Sequence, residues 1–355
     1  GGRGIRLGAG ELLKLIDLSA AASAVMHAGS PRTPTLAFDH LDLMVPICHG
    51  ELVHLDSQIV HVGNSTMVVK VEGKKKDVLT RLWVHTHVAF VTFVSLGQDG
   101  KPQVVPELEC TTEEQKKMRK KVIDLQLQNQ AYKAEQAAIK MKTDPWSEDK
   151  CEAMLENVPE TLRYDDTAVY LRKNFLPRNL NALGTVFGGD LLEWMELGAT
   201  ACASNFTRNP HVITIAMDNI FFHKPILPRH LLELTAKVVY LRKHTMQVEC
   251  LVKVFEPSWI KENPKFKDVD DGYSHVGHFT ILNATEYGHK RPVMTGLDVA
   301  GDTEAQLKYE LADHRFHFFM AQKKEFTADI EDPMAQLKFP RWDKQRKNWN
   351  SKQLK

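Results

Sequence analysis

The residue types most able to do chemistry in this chain are gathered in one stretch, 181–200, which reads NALGTVFGGDLLEWMELGAT. Gly188 and Gly189 stand at the mouth of a helical pattern in which Leu191, Leu192, Met195 and Ala199 recur at helix spacing. One acid, Glu196, lies beside that apolar stripe. A carboxylate partly stripped of water can serve as a general base or as a nucleophile. Backbone N–H groups at the start of a helix carry the positive end of its dipole, and so can receive a developing oxyanion without any side chain. Each feature also has a plainer reading. Asn181 alone is a turn residue, and the glycine pair alone is a tight helix entry.

Other candidate chemistries are weaker. His85 and His87 could place two metal ligands on one strand face, but no third ligand lies nearby and no metal site is expected. The glycine-rich start GGRGIRLGAG follows no strand and leads to no GK[ST], so it is not a phosphate loop. No G-x-S-x-G elbow is present, which argues against an α/β-hydrolase. With 46 Lys+Arg against 45 Asp+Glu, the net charge of +1 gives no pull toward nucleic acid or an anionic membrane. Five cysteines are odd in number, scattered and free of any CxxC, the pattern of packed reduced thiols in an intracellular protein. No apolar run approaches the roughly 18 residues needed to span a bilayer. The start, without Met or a signal-peptide core, reads as processed or truncated and leaves a cytoplasmic or mitochondrial location equally open.

The elements that must position such residues occur twice. At an offset of 179 the chain matches itself without a gap from Gly10/Gly189 to Val71/Cys250. The identities include Leu12/Leu191, Leu13/Leu192, Ala20/Ala199, Pro31/Pro210, Ala37/Ala216, Asp39/Asp218, Pro46/Pro225 and Thr66-Met67/Thr245-Met246. Each copy opens with a helix of about 20 residues, near 9–29 and 188–207, alanine-rich in its second half. Strand-like segments follow at 35–43, 51–62, 66–72 and 82–96, and at 214–222, 230–241, 245–255 and 273–284, rich in Val, Ile, Thr and Phe between Pro and Gly turns. One long helix followed by antiparallel strands predicts an α+β unit whose sheet wraps the helix. The symmetric Asp39 and Asp218 are expected to hold a turn or interface. Between the copies, a Lys/Arg-rich helix at 113–142 opens with a Thr112/Gln115 capping box and is expected to be a solvated connector. Expected domains are 1–110, a linker at 111–160, 161–302, and a C-terminal helix with a basic tail at 303–355.

The motif N-x-x-G-x-x-F-G-G-x-x-x-x-W-M-E, here Asn181, Gly184, Phe187, Gly188, Gly189, Trp194, Met195 and Glu196, resembles the helix entry of acyl-coenzyme A thioesterases. GELLKLIDLSAAASAVMHAGSP (10–31), with its HAG at 27–29, looks like the matching N-terminal half. The resemblance covers roughly 5–115 and 161–310, and implies a tandem (double) hotdog fold without a C-terminal START domain. It further implies that the catalytic acid comes from one helix and an Asn from the loop before the other. Carried over residue by residue, this pairs Asp17 with Asn181, with the Gly188 and Gly189 amides as oxyanion hole. A second site, around Glu196 and Gly10, would need an Asn where Gly2 stands, and is expected to be vestigial. Asp17 sits at the edge of its helix's apolar stripe, where it could instead pair with Lys14 at the surface. Arg242, Lys243 and Thr245 are the candidate patch for coenzyme A phosphates.

The resemblance implies an intracellular hydrolase of acyl-CoA, needing no cofactor, with coenzyme A as part of the substrate. No nucleic-acid partner is expected, and the resemblance implies assembly into a trimer of pseudo-dimers. The alternatives are an enoyl-thioester hydratase or dehydratase, which would want a His that the first copy lacks between Gly8 and Met26, and a non-catalytic acyl-CoA sensor.

Overall fold

A computed structural model of the chain describes residues 6–39, 41–43, 45–48, 50–76, 81–141, 146–156, 158–218, 220–255 and 274–327. Gly2 and the basic segment 339–353 lie outside them. In chain order the elements are α1 (Ala9–Ala28), β1 (Thr35–Phe38), β2 (Leu41–Asp42), β3 (Leu52–Val62), β4 (Thr66–Lys76) and β5 (Trp83–Val94). Then come α2 (Glu113–Lys140), α3 (Glu148–Leu155), β6 (Glu160–Arg163), β7 (Val169–Lys173) and α4 (Gly188–Thr207). The rest are β8 (Val212–Met217), β9 (Ile220–Phe221), β10 (Leu231–Leu241), β11 (Thr245–Phe255), β12 (His275–Asn283), β13 (Thr295–Asp298) and α5 (Thr303–Thr327). The chain divides into two compact units, Gly1–His314 and Arg315–Lys355.

In the first unit, one antiparallel sheet has the order β3-β4-β5-β1-β9 and the other β2-β8-β12-β11-β10-β7, with β13 and β6 forming a small parallel pair. Helix α1 packs on β3, β4 and β5, α4 packs on β10, β11 and β12, and the two helices pack on each other. This is the expected pair of α+β units. Ala20 and Ala24 in α1, like Ala199 and Ala203 in α4, are wholly buried, because small side chains let the sheet backbone and the neighbouring helix approach. Helix α1 ends on Gly29, whose φ of 63° is the left-handed C-cap that a side chain would oppose.

The two copies also exchange short strands. Ala37 and Phe38 of β1 pair with Phe221 and Ile220 of β9, while Leu41 and Asp42 of β2 pair with Met217 and Ala216 of β8. Each copy thereby extends a sheet of the other and covers an edge that would otherwise expose unpaired amides. The expected strands at 35–43 and 214–222 are each broken in two by this exchange.

Two elements differ from the sequence reading for physical reasons. Strand β4 continues past residue 72 through Lys74, Lys75 and Lys76, because Lys75 Nζ turns inward to Glu51 Oε1 at 2.8 Å and to the Pro46 carbonyl at 2.8 Å. Pairing with both neighbours outweighs the poor strand preference of lysine. Helix α2, opened by the expected Thr112–Gln115 capping box, is more than a solvated connector. Val122, Leu125, Asn129 and Tyr132 form a buried stripe along it, and Gln136 Nε2 lies 2.7 Å from His314 Nδ1 in α5. Of the five cysteines, all free, three are buried. Among the described residues, no helix is long and apolar enough to cross a membrane.

Helix α5 is tied to the second sheet by a buried charge cluster. Glu249 accepts from Lys308 Nζ at 2.6 Å and lies 3.0 Å from His278 Nε2. Burial works to raise the pKa of this carboxyl, but His278 and Lys308 outweigh it and hold the group down to about 2. A depressed carboxyl gives stability that is present above its unfolded value and lost as pH falls through about 4 toward 2. Lys308→Met is expected to cost about 3 kcal/mol of unfolding free energy at neutral pH, because it strands a buried charge. Denaturant titration measures this, and an unchanged midpoint would show that the ion pair contributes nothing.

Candidate active site

Asp17 is the centre of the site. It lies on the face of α1 turned toward α4 and is wholly inaccessible to solvent. Its Oδ2 accepts from the Gly189 amide at 2.7 Å, and its Oδ1 accepts from the Thr35 hydroxyl at 2.8 Å. The acid therefore comes from the first copy, its backbone donor from the helix mouth of the second, and its hydroxyl donor from the first residue of β1. Burial pushes the Asp17 carboxyl up to about 7, the Thr35 and Gly189 hydrogen bonds pull it part of the way back, and the charge of Asp190 adds to the rise.

Lys14 is not the partner of Asp17. Its Nζ points across to α4, 2.7 Å from Asp190 and 3.5 Å from Glu193. The surface-pair alternative for Asp17 is thus removed, and Lys14 instead neutralises the acid next to Gly189.

The glycines have a packing role that spacing alone did not reveal. A Cβ on Gly189 would lie 2.8 Å from Lys14 Cα, and a Cβ on Gly10 would lie 2.9 Å from Glu193 Cα. Since 10/189 and 14/193 are equivalent positions of the repeat, the same close crossing of α1 and α4 occurs twice about a pseudo-twofold axis. At Gly188 a Cβ would be 3.0 Å from Asp17 Oδ2 and 3.1 Å from Phe222 Cζ, so the space beside the acid stays open only because this residue is glycine.

The oxyanion hole expected of both amides is corrected here. Gly189 N–H is already given to Asp17, because a buried carboxylate without donors would be costly. The Gly188 amide has no acceptor among the described residues. Asn181 is anchored in its loop through one side-chain atom. Its Oδ1 accepts from the amides of Leu183 at 2.9 Å and Thr185 at 3.2 Å, and from the Thr185 hydroxyl at 3.1 Å. That is a side chain closing its own loop, helped by Gly184 at φ 73°. The loop is carried to the helix mouth by Phe187 N–H, which donates to the Asn179 carbonyl at 2.8 Å.

In the second copy, Glu196 Oε1 accepts from the Thr214 hydroxyl at 2.6 Å, and its Oε2 would be 3.2 Å from a Cβ on Gly10. Thr35, the first residue of β1, and Thr214, the third of β8, are identical residues in register. That identity was the signal for a hydroxyl on each acid, which the sequence reading passed over. The copies differ in that Asp17 is wholly buried while Glu196 is partly exposed, and Ala9 carries a methyl group where Gly188 has none.

Arg242, Lys243 and Thr245 stand together between β10 and the start of β11. They close the β10–β11 hairpin, where Arg242 N–H donates to the Thr245 carbonyl at 2.8 Å. His85 and His87 do not share a strand face. They pair with the adjacent residues Lys74 and Gly73, so a bulge at Thr86 turns them to opposite sides. His87 is fully buried, and burial lowers its pKa to about 4. Asp218 accepts from Gln247 Nε2 at 2.9 Å.

Removing the Thr35 hydroxyl tests its share in the site. In Thr35→Val the ionised form of Asp17 loses a donor, so the pKa seen in the pH–rate profile is expected to rise by about one unit. Activity near pH 7 should fall by about fivefold. A profile that keeps its midpoint would rule out this role.

Comparison with known proteins places these features in a family. A thioesterase-superfamily model matches residues 9–81 and again 183–257. The cytosolic acyl coenzyme A thioester hydrolase of Homo sapiens is 22% identical over 291 residues, covering 80% of this chain and 71% of the relative. Acyl-coenzyme A thioesterase 11 of Mus musculus is 28% identical over 253 residues, 70% of this chain but only 41% of the relative. An uncharacterized acyl-CoA thioester hydrolase of Bacillus subtilis is 36% identical over 106 residues, 30% of this chain and 61% of the relative. The two matched regions each begin at or just before one of the two helices that form the Asp17–Gly189 contact. The chain is thus similar to the thioesterase superfamily in both of its copies, and its fold is a tandem hotdog.

Proposed function

We propose that the chain hydrolyses an acyl-CoA thioester to the free acid and coenzyme A at the Asp17 site. The observation that carries this reading is a fully buried carboxyl, raised to about 7, held between the Thr35 hydroxyl and the amide of a helix mouth. A base with a pKa near the working pH is efficient because it is both ionised and willing to take a proton. Asp17 takes up a proton from the attacking water, the Gly188 N–H at the positive end of α4 receives the thioester oxygen as it becomes anionic, and the thiolate leaves without needing a strong acid. Asn181 keeps the loop before α4 in shape, so that the amide is presented.

The first site carries the activity. Its acid is wholly buried and the space next to it is kept open by Gly188, whereas Glu196 is partly exposed and the repeat equivalent of Gly188 is the methyl-bearing Ala9. A hydratase reading is disfavoured because no His touches Asp17 among the described residues; its partners there are Thr35 and Gly189. Release of thiol from acyl-CoA substrates of graded chain length, followed with a thiol-trapping dye, tests the proposal. No release from any of them would sink it.

A further inference from the structure

Phe222 stands at the mouth of the same site without belonging to its acid–base machinery. Its Cζ and Asp17 Oδ2 both lie within about 3 Å of one point, the place where a Cβ on Gly188 would be. Its backbone is fixed there, because Phe222 N–H donates to the Leu36 carbonyl at 3.0 Å, one residue along β1 from Thr35. Behind the ring lies the imidazole of His275, with ring centroids 5.7 Å apart and planes at 58°. His275 is 1% exposed, and its Nδ1 is 2.9 Å from the Ser274 hydroxyl. Burial, with a smaller contribution from His223, lowers its pKa to about 3, so the ring stays neutral and the wall stays apolar.

The other copy keeps the backbone and changes the side chain. Leu43, the repeat equivalent of Phe222, donates its N–H to the Ile215 carbonyl at 2.9 Å, and a buried Thr86–His87 pair stands where Ser274–His275 does. The two copies therefore differ at the mouth by Phe222 against Leu43 and by Gly188 against Ala9.

The geometry points to Phe222 as the residue that sets acyl-chain selectivity, its ring forming the wall that the first carbons of the acyl group meet. This rests on the reading of Asp17 as the base. Of the two substituents on a thioester carbonyl, the acyl chain is the apolar one, while the pantetheine arm carries amides that an aromatic wall and a neutral imidazole would leave unpaired.

The test compares kcat/KM for acetyl-, hexanoyl- and decanoyl-CoA in the wild type and in Phe222→Ala, Phe222→Leu and Phe222→Trp. Truncation is expected to raise the decanoyl-to-acetyl ratio on the order of tenfold in Phe222→Ala and less in Phe222→Leu, and Phe222→Trp to lower it. Phe222→Leu, which copies the residue of the other repeat, keeps the test open if the Ala variant folds poorly. An unchanged ratio would overturn the inference, as would an equal fall at all three lengths, which would place the ring on the pantetheine arm or in a purely structural role. Asp17→Asn in the same assay separates the two readings. If it remains active, the site assignment fails. If it is inactive while the Phe222 series keeps the wild-type ratio, only the selectivity assignment fails.

Discussion

Asp17→Asn is expected to lower kcat by at least about a thousandfold, while Glu196→Gln leaves it within a few-fold. Asn has nearly the shape of Asp and can keep one oxygen on the Gly189 amide, which donates to Asp17 at 2.7 Å, so the loss reports the missing base and not a disrupted helix pair. Activity of the wild type should rise with pH through about 7 and then level off, because the base works only when ionised. Equal loss from both substitutions would sink the asymmetry between the sites, and full activity in the Asn variant would remove Asp17 from the mechanism.

The same substitution has a second, opposite effect on stability, and its sign follows from the raised pKa. Asp17 in the folded chain holds its proton up to about 7, against an ordinary value of 3.8. Below pH 4 both folded and unfolded forms are protonated and nothing is lost. Between about 4 and 7 the unfolded form ionises first, so stability falls as pH rises, by up to about 4 kcal/mol in all. The Asn variant escapes this loss. It should unfold at a higher denaturant concentration than the wild type at pH 8 and at nearly the same concentration at pH 4. Such a pattern, gain of stability with loss of rate, is what a strained functional group predicts. A difference that does not change with pH would mean that Asp17 is not buried in its ionised form.

Much of this arrangement was legible in the sequence, because duplication supplied an internal comparison. The 3.6-residue pattern with alanines marked both central helices, and the apolar β-branched runs marked the strands they carry. The partnership of Asp17 with the mouth of the other helix came from the family resemblance and not from spacing. Three features were not legible, each because it depends on contacts between distant segments. Whether Gly189 gives its amide to a substrate or to Asp17 is decided by how closely α1 and α4 cross. Whether the Asn181 side-chain oxygen is left for a substrate or is spent on its own loop is decided by the hydrogen bonds of Leu183 and Thr185. Whether two histidines spaced by one residue share a face is decided by a bulge that only pairing with β4 reveals.

The close helix crossing gives the second large expected effect. Gly10 and Gly189 are equivalent, and each would drive a Cβ into the backbone of the opposite helix, at 2.9 Å from Glu193 Cα and 2.8 Å from Lys14 Cα. Backbone cannot swing away as a side-chain tip can, so either alanine is expected to push the helices apart, at a net cost of about 2 kcal/mol. The catalytic consequences should differ. In Gly189→Ala the displaced residue is the one whose amide holds Asp17 Oδ2, and a shift of about an ångström there is enough for a hundredfold loss in kcat. In Gly10→Ala the strain falls on the Glu193 and Glu196 side, and activity per folded molecule should stay within about tenfold of wild type. Unfolding midpoints and kcat measured on the two variants together decide the matter. Matching losses of stability with unequal losses of rate would support a single working site built on the Gly189 amide, whereas matching losses of rate would mean that helix spacing alone, and not the Gly189–Asp17 bond, governs catalysis.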